Sequence, residues 1–227
     1  MATRTHNFDA VLFDLDGVLT STAAIHARCW KAVFDELPLL EPFDIEHDYL
    51  DHVDGKPRYD GVRDFLASRD IALSEDQVRE IGDRKQLLVE KALEHDPVEA
   101  FPGSVEWVEH LRREGLRTAV VSSSTNAGEI LRSAGIDGLF ETTVSGRDIA
   151  ELDLNGKPAP DGFLEAARRL DVSPHRAVVV EDALAGVTAG RAGGFGLVVG
   201  VARHAEPGAL RSAGADMVVE DLAEMLP

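Results

Sequence analysis

The sequence predicts an α/β protein, a Rossmann-like doubly wound parallel sheet carrying an inserted all-α helical cap. Three observations predict it. Six short β-branched runs recur along the chain, amphipathic helical patterns separate the later ones, and between the first two runs the strand rhythm stops for about seventy residues, far longer than an ordinary loop. The expected division is a discontinuous core over 1–21 and 96–227, with the cap over 22–95.

The expected strands are Ala10–Phe13, Thr118–Ser122, Thr142–Val144, Ala177–Val180, Leu197–Val199 and Met217–Val219. Val105, Val108 and Leu111 mark one intervening helix, Ile130, Leu131 and Ala134 a second, and Phe163, Ala166, Ala167 and Leu170 a third. This alternation implies parallel strands with helices on both faces. In the insertion, Ala23–Glu36, Arg58–Arg69 and Ser74–His95 read as amphipathic helices, the last opened by Ser74 with Gln77 in the capping-box position. An insertion at the carboxyl end of a strand lies over the place where α/β sheets bind ligands.

With 227 residues, 44% of them apolar, the chain can bury a large core. A formal charge of −18 argues against nucleic acid or an anionic membrane as a partner. It also means that an anionic substrate needs a local pocket of cations or metal. The single cysteine, Cys29, excludes an intrachain disulfide and suits a reducing compartment; with Ile25, Val33 and Leu37 at helical spacing it reads as an inert core residue. The polar start Met1–Asn7 and the short apolar run after it predict no secretory signal, so a cytoplasmic monomer is expected.

Four polar elements end four of the expected strands. Asp14-Leu15-Asp16-Gly17 follows the first. Ser122-Ser123-Ser124-Thr125-Asn126 follows the second, its hydroxyls and backbone N–H groups leading into a helix as a phosphate cradle. Lys157-Pro158 comes third, Pro158 holding Lys157 out of helix, and Glu181-Asp182 ends the fourth apolar run. As chemistry these form one site. Asp14 and Asp182, with Glu181 beside them, offer hard oxygens for Mg²⁺. Lys157 and Ser122 balance the charge of a phosphoryl group. Asp14, kept ionised, can act as a carboxylate nucleophile, and Asp16 can move protons.

As a set these motifs resemble the haloacid dehalogenase superfamily of phosphotransferases, in the branch with a helical cap after the first motif, and are most similar to β-phosphoglucomutase-like proteins. The resemblance covers nearly the whole chain. It implies Asp14 as nucleophile, Asp16 as general acid/base with its backbone carbonyl on Mg²⁺, and Ser122, Lys157, Glu181 and Asp182 in the remaining core roles. In the cap it implies Thr22 as a hinge and His26 as the link between cap and acid/base, with Trp30 packing. His26 reads alternatively as a hydrogen-bonded helix residue. Gly55-Lys56-Pro57-Arg58 resembles the substrate-specificity loop, with Arg58 on the non-reacting phosphate. Lys85 either faces the sugar or lies on a solvated helix face.

Two departures remove positive charge near the second-phosphate site: Asp54 and Thr125 stand where the mutase pattern has lysines. They tilt the expectation toward a sugar-phosphate phosphatase, with β-phosphoglucomutase, interconverting β-glucose 1-phosphate and glucose 6-phosphate, as the alternative. Dehalogenation needs neither Asp16 nor the metal oxygens, and Arg58 stands where a Schiff-base lysine is required for phosphonate chemistry. A non-catalytic binding protein on the same fold is the more distant alternative.

Overall fold

The computed structural model describes residues 7–37 and 41–227. All six expected strands form, in one parallel sheet: β1 Ala10–Phe13, β2 Arg117–Val121, β3 Thr142–Val144, β4 Ala177–Glu181, β5 Leu197–Val201 and β6 Met217–Val219, ordered β3-β2-β1-β4-β5-β6. The order reverses at β1, so the crevice at the carboxyl ends of β1, β2 and β4 is the natural ligand site of such a sheet. Phe13 stands level with Val120 on one side and Val180 on the other, so Asp14, Val121 and Glu181 fall on one row across three strands.

The strands are buried on both faces, which explains their unbroken apolar runs. On one face Val11, Phe13, Val120 and Val180 pack with Trp107 and Leu111 of α4 (Pro102–Arg113) and with Ile130 of α5 (Ala127–Ser133). On the other, Leu12, Ala119, Val121 and Val179 meet Phe163, Ala166 and Ala167 of α7 (Asp161–Arg169). Between these helices lies α6 (Gly146–Glu151); α8 (Leu184–Ala192) follows β4 and α9 (Pro207–Ala213) follows β5.

The insertion is helical where expected: α1 Ala23–Phe34, α2 Arg58–Ser68 and α3 Glu75–His95. Ser74 caps α3 reciprocally with Gln77. A π-helical turn, Tyr49–Val53, was not expected; five residues without a helical repeat carry no periodic signal. These elements enclose their own apolar cluster, in which Phe34, Phe43 and Phe65 meet with ring centroids 4.2–5.1 Å apart. Cys29 is buried beside Ile25 and Val89. Among the described residues no helix is long and apolar enough to cross a membrane.

Phe65 is fully buried at the centre of the aromatic cluster. Phe65→Ala is expected to destabilise the helical insertion by about 3–5 kcal/mol. Urea denaturation followed by intrinsic fluorescence reads this as a lowered midpoint.

Candidate active site

Asp14 follows β1 directly, and its backbone N–H bonds Val180 O at 2.9 Å, so the acid is fixed by sheet pairing. Glu181 is the last residue of β4 and is fully buried. Lys157 reaches the same row from the loop before α7. Its ammonium bonds Asp14 Oδ1, Glu181 Oε1 at 2.6 Å and Val121 O at 3.1 Å. Burial pulls the Lys157 pKa down, but the Asp14 and Glu181 charges outweigh it and hold the ammonium protonated well above the ordinary lysine range.

One oxygen each of Asp14, Glu181 and Asp182 gather within 4.8 Å, all three residues buried. Burial lifts Asp14 and Asp182 well above the usual carboxylate range, and neighbouring carboxylates lift them further. A divalent cation relieves that repulsion, and hard, anionic oxygens suit Mg²⁺, so the residues present fit the ion. Glu181 is already engaged at both oxygens, with Lys157 and with the Ala183 N–H at 2.9 Å. Asp14 and Asp182 therefore hold the less committed oxygens. Gly17, at φ 91°, lets Asp182 approach; a Cβ there runs into the Asp182 carboxylate.

Asp16 stands apart from this acid group through its side chain. It accepts from Thr22 Oγ1 and from Ser122 Oγ at 3.3 Å, and faces His26 Nε2 at 3.5 Å. Burial opposes ionisation, but His26 and Thr22 prevail and hold its pKa below the usual range. Burial and the Lys85 ammonium push the His26 pKa down. Lys85 Nζ lies 2.7 Å from His26 Nδ1; an ammonium only donates, so Nδ1 accepts and Nε2 carries the proton toward Asp16. Lys85 is only 5% exposed, with its ammonium 4.9 Å above the Trp30 ring, so the solvated face is not its placement. Trp30 in turn stacks on Phe34 and lines the cavity.

The helical insertion closes over these residues. Ser123 Oγ donates to Gly55 O at 2.7 Å, and Gln86 Nε2 donates to Asn126 Oδ1 at 3.0 Å. Gly55, at φ 70°, sits against Ala183, and Pro57 sits against Gly156. The cavity between the layers, of about 220 Å³, is lined by Asp14, Asp16, His26, Arg58, Lys85 and Asp182, and also by Ser124, Gly55 and Asp54. Arg58 Nη1 bonds Gln86 Oε1 at 2.8 Å, while Arg58 Nε and Asn126 Nδ2 are buried with no hydrogen-bond partner. Ser122 and Lys157 lie below the cavity floor at the strand ends, both buried, and Ser123 spends its hydroxyl on the loop above.

The sequence reading missed Gln86, whose amide bridges Arg58 and Asn126, and the Tyr49–Asp54 pair. Gln86 follows Lys85 on α3, a position that only the seating of α3 over the sheet places in the cavity.

A six-stranded parallel sheet with acids, a lysine and serines at its switch point, roofed by an inserted helical layer, defines an enzyme of the phosphatase and phosphomutase class. Comparison with known proteins gives the family. A family model described as haloacid dehalogenase-like hydrolase matches residues 8–194, and the chain belongs to that family. It is similar to β-phosphoglucomutase of Mycobacterium bovis, 46% identical across 96% of this chain and 91% of that one. It is also similar to a phosphorylated carbohydrates phosphatase of Thermotoga maritima, 28% identical across 93% and 94%. A solved structure, the putative β-phosphoglucomutase from Bacteroides vulgatus, superposes with a TM-score of 0.81 at 25% identity, covering 96% of this chain and 85% of that one.

Lys85 gives a test of the site's electrostatics. Burial pulls its pKa from the ordinary 10.5 to about 8. Between those values the unfolded chain holds a proton that the folded chain has lost, so this group's contribution to stability rises with pH across that window. Lys85→Met should remove that slope and raise the stability of the metal-free protein at pH 7 by about 1–3 kcal/mol. Thermal melts from pH 6 to 10 measure both effects.

Proposed function

We propose that this enzyme is a Mg²⁺-dependent phosphomutase acting on a sugar phosphate, of the β-phosphoglucomutase type, working through a phosphoryl-aspartate on Asp14. The observation that carries this reading is the second anion end of the cavity. Arg58 and Lys85 line it as cations, Arg58 Nε is a buried donor without a partner, and Asn126 Nδ2, outside the lining residues, is another. Unpartnered buried donors cost folding free energy, which a bound acceptor returns. A phosphatase needs one phosphate site, whereas a mutase needs two at once. From the sequence, Asp54 and Thr125 tilted the expectation toward hydrolysis; the orphaned donors and the 46% identical relative, named β-phosphoglucomutase, move it toward transfer.

Asp14 and Asp182, with the Asp16 backbone carbonyl, would hold Mg²⁺, which would supply positive charge to offset that of a phosphoryl group in transfer. Lys157 opposes the upward shift that burial imposes on Asp14, favouring its anionic form together with a bound cation, and directs one oxygen, leaving the other to attack phosphorus. Asp16, ionised and oriented by Thr22, Ser122 and His26, takes the proton of the attacking hydroxyl as phosphoryl-Asp14 gives up its phosphoryl group, and returns it to the leaving sugar oxygen when Asp14 is phosphorylated again. The Ser122 hydroxyl and the backbone N–H groups of Ser123 and Thr125 would cradle the phosphoryl oxygens, those of Ser124 and Asn126 being bonded to Ser122 Oγ and Ser124 Oγ. Arg58, Lys85, Gly55 and Asn126 hold the other phosphate. In this reading the helical layer is a cap that opens for exchange of the sugar and closes to exclude water.

Hydrolysis is the second reading, favoured by Asp54 and Thr125 in the cavity lining. One assay separates the two. Purified enzyme with Mg²⁺ and β-glucose 1-phosphate should form glucose 6-phosphate only when the 1,6-bisphosphate is added. Steady release of free phosphate without that requirement would establish the phosphatase instead. Asp14→Asn should remove either activity, by a factor of at least about 10³, and chelation with EDTA should do the same reversibly. Arg58→Ala should raise the bisphosphate requirement by roughly ten- to a hundredfold while leaving Mg²⁺ affinity unchanged.

A further inference from the structure

Asp54 is the one cavity-lining acid to which neither the metal site nor the acid/base chemistry gives a task. It ends the π-helical turn Tyr49–Val53 in extended conformation, and its N–H bonds Tyr49 O at 2.9 Å. That arrangement aims the carboxyl at the cavity and the Tyr49 phenol at the carboxyl, with Tyr49 only 5% exposed. Asp54 is not in the Asp14–Glu181–Asp182 oxygen group. Its neighbour Lys56 is spent on Asp64 and on Asp51 O, and among the described residues no lysine or arginine forms an ion pair with Asp54. A carboxyl in the cavity wall with one phenol beside it retains unfilled acceptor capacity. It shares the cavity wall with Asp14, Asp16 and Asp182, so it lies near the catalytic end.

A carboxyl in this position repels a phosphate but suits a hydroxyl, which donates. Resting on the sugar-phosphate reading above, we propose that Asp54, backed by Tyr49, is a specificity-determining residue: it accepts a hydrogen bond from one sugar hydroxyl near the reacting end of the substrate and bars a phosphate from that position. The two anion sites are then separated by a segment built for a polyhydroxylated ring. The loss of a cation at residue 54 becomes selection for the ring, and it leaves the distal phosphate to Arg58 and Lys85.

The test is a cycle of protein and substrate changes. Calorimetric titrations use the full chain, with Mg²⁺ and with Asp14→Asn as background to stop turnover. The ligands are glucose 6-phosphate, its 2-, 3- and 4-deoxy analogues, and inorganic phosphate. With Asp54 present, one deoxy analogue should bind roughly ten- to a hundredfold more weakly than the parent sugar. In Asp54→Ala that one penalty should collapse to about unity while the other two persist. Asp54→Asn, which keeps an acceptor oxygen, should restore part of it, and Tyr49→Phe should reduce it. Identical deoxy penalties with and without Asp54 overturn the proposal alone. So does an equal change in affinity for inorganic phosphate, because Asp54 would then act through the core acids. Binding of inorganic phosphate with no binding of any glucose phosphate overturns the sugar-phosphate reading and this inference together.

Discussion

The structure of the site depends on one buried ammonium. Lys157 bonds Asp14, Glu181 and the Val121 carbonyl, and those three acceptors lie on a single row across β1, β4 and β2 because the parallel register makes them level. A charge of that kind is costly to bury alone and tolerable only with its hydrogen bonds filled. The consequence runs in both directions. The sheet register brings the acids close enough to need a cation, and the cation holds the strand ends and the loop before α7 together. Glu181, fully enclosed and bonded at both oxygens, serves that geometry first; Gly186 leaves it room, since a Cβ there meets the Glu181 carboxylate.

One ammonium does not balance the site. Asp14, Asp16, Glu181 and Asp182 crowd the strand ends, and the helical layer adds Asp54 from above while supplying Arg58 and Lys85. The fold therefore places its compensating charge in two layers. The lower layer suits a divalent cation, and the upper one suits an anion. A substrate bearing phosphate at its far end completes the upper layer, which makes closure of the helices and binding of such a substrate favour each other. Direct contacts across the seam include Ser123–Gly55, Gln86–Asn126 and His26–Asp16, with close packing at Gly55 and Gly156 and of Leu93 on the core cluster.

Much of this was legible in the sequence because it follows from short-range rules. The β-branched runs are buried on both faces, so they needed no alternation to be read as strands, and Ser74 with Gln77 announced the start of α3. The acids and the lysine were readable because each ends or follows a strand. The illegible parts depend on how two layers meet. Tyr49–Val53 is too short for a period, and Lys85 fits a solvated or a buried face equally until α3 is laid over His26. The tautomer of His26 follows from that same contact. Gln86 and Asn126, forty positions apart, give no local sign of facing each other.

The net charge of −18 looked like an obstacle to any anionic substrate, and the site shows how it is overcome. The surface pairs acid with base broadly, as at Arg176–Asp9 and Arg117–Glu141, so most exposed cations are neutralised locally. Of those lining the cavity, Lys56 is paired with Asp64, but two are different: Lys85 donates to a neutral imidazole, and Arg58 to an amide, with a neighbouring acid only at 3.9 Å. Neutral partners leave the charge of these two residues directed into the cavity, where low dielectric and the exclusion of solvent counter-ions make it count most. Recognition of phosphate in an acidic protein is then local and orientation-dependent.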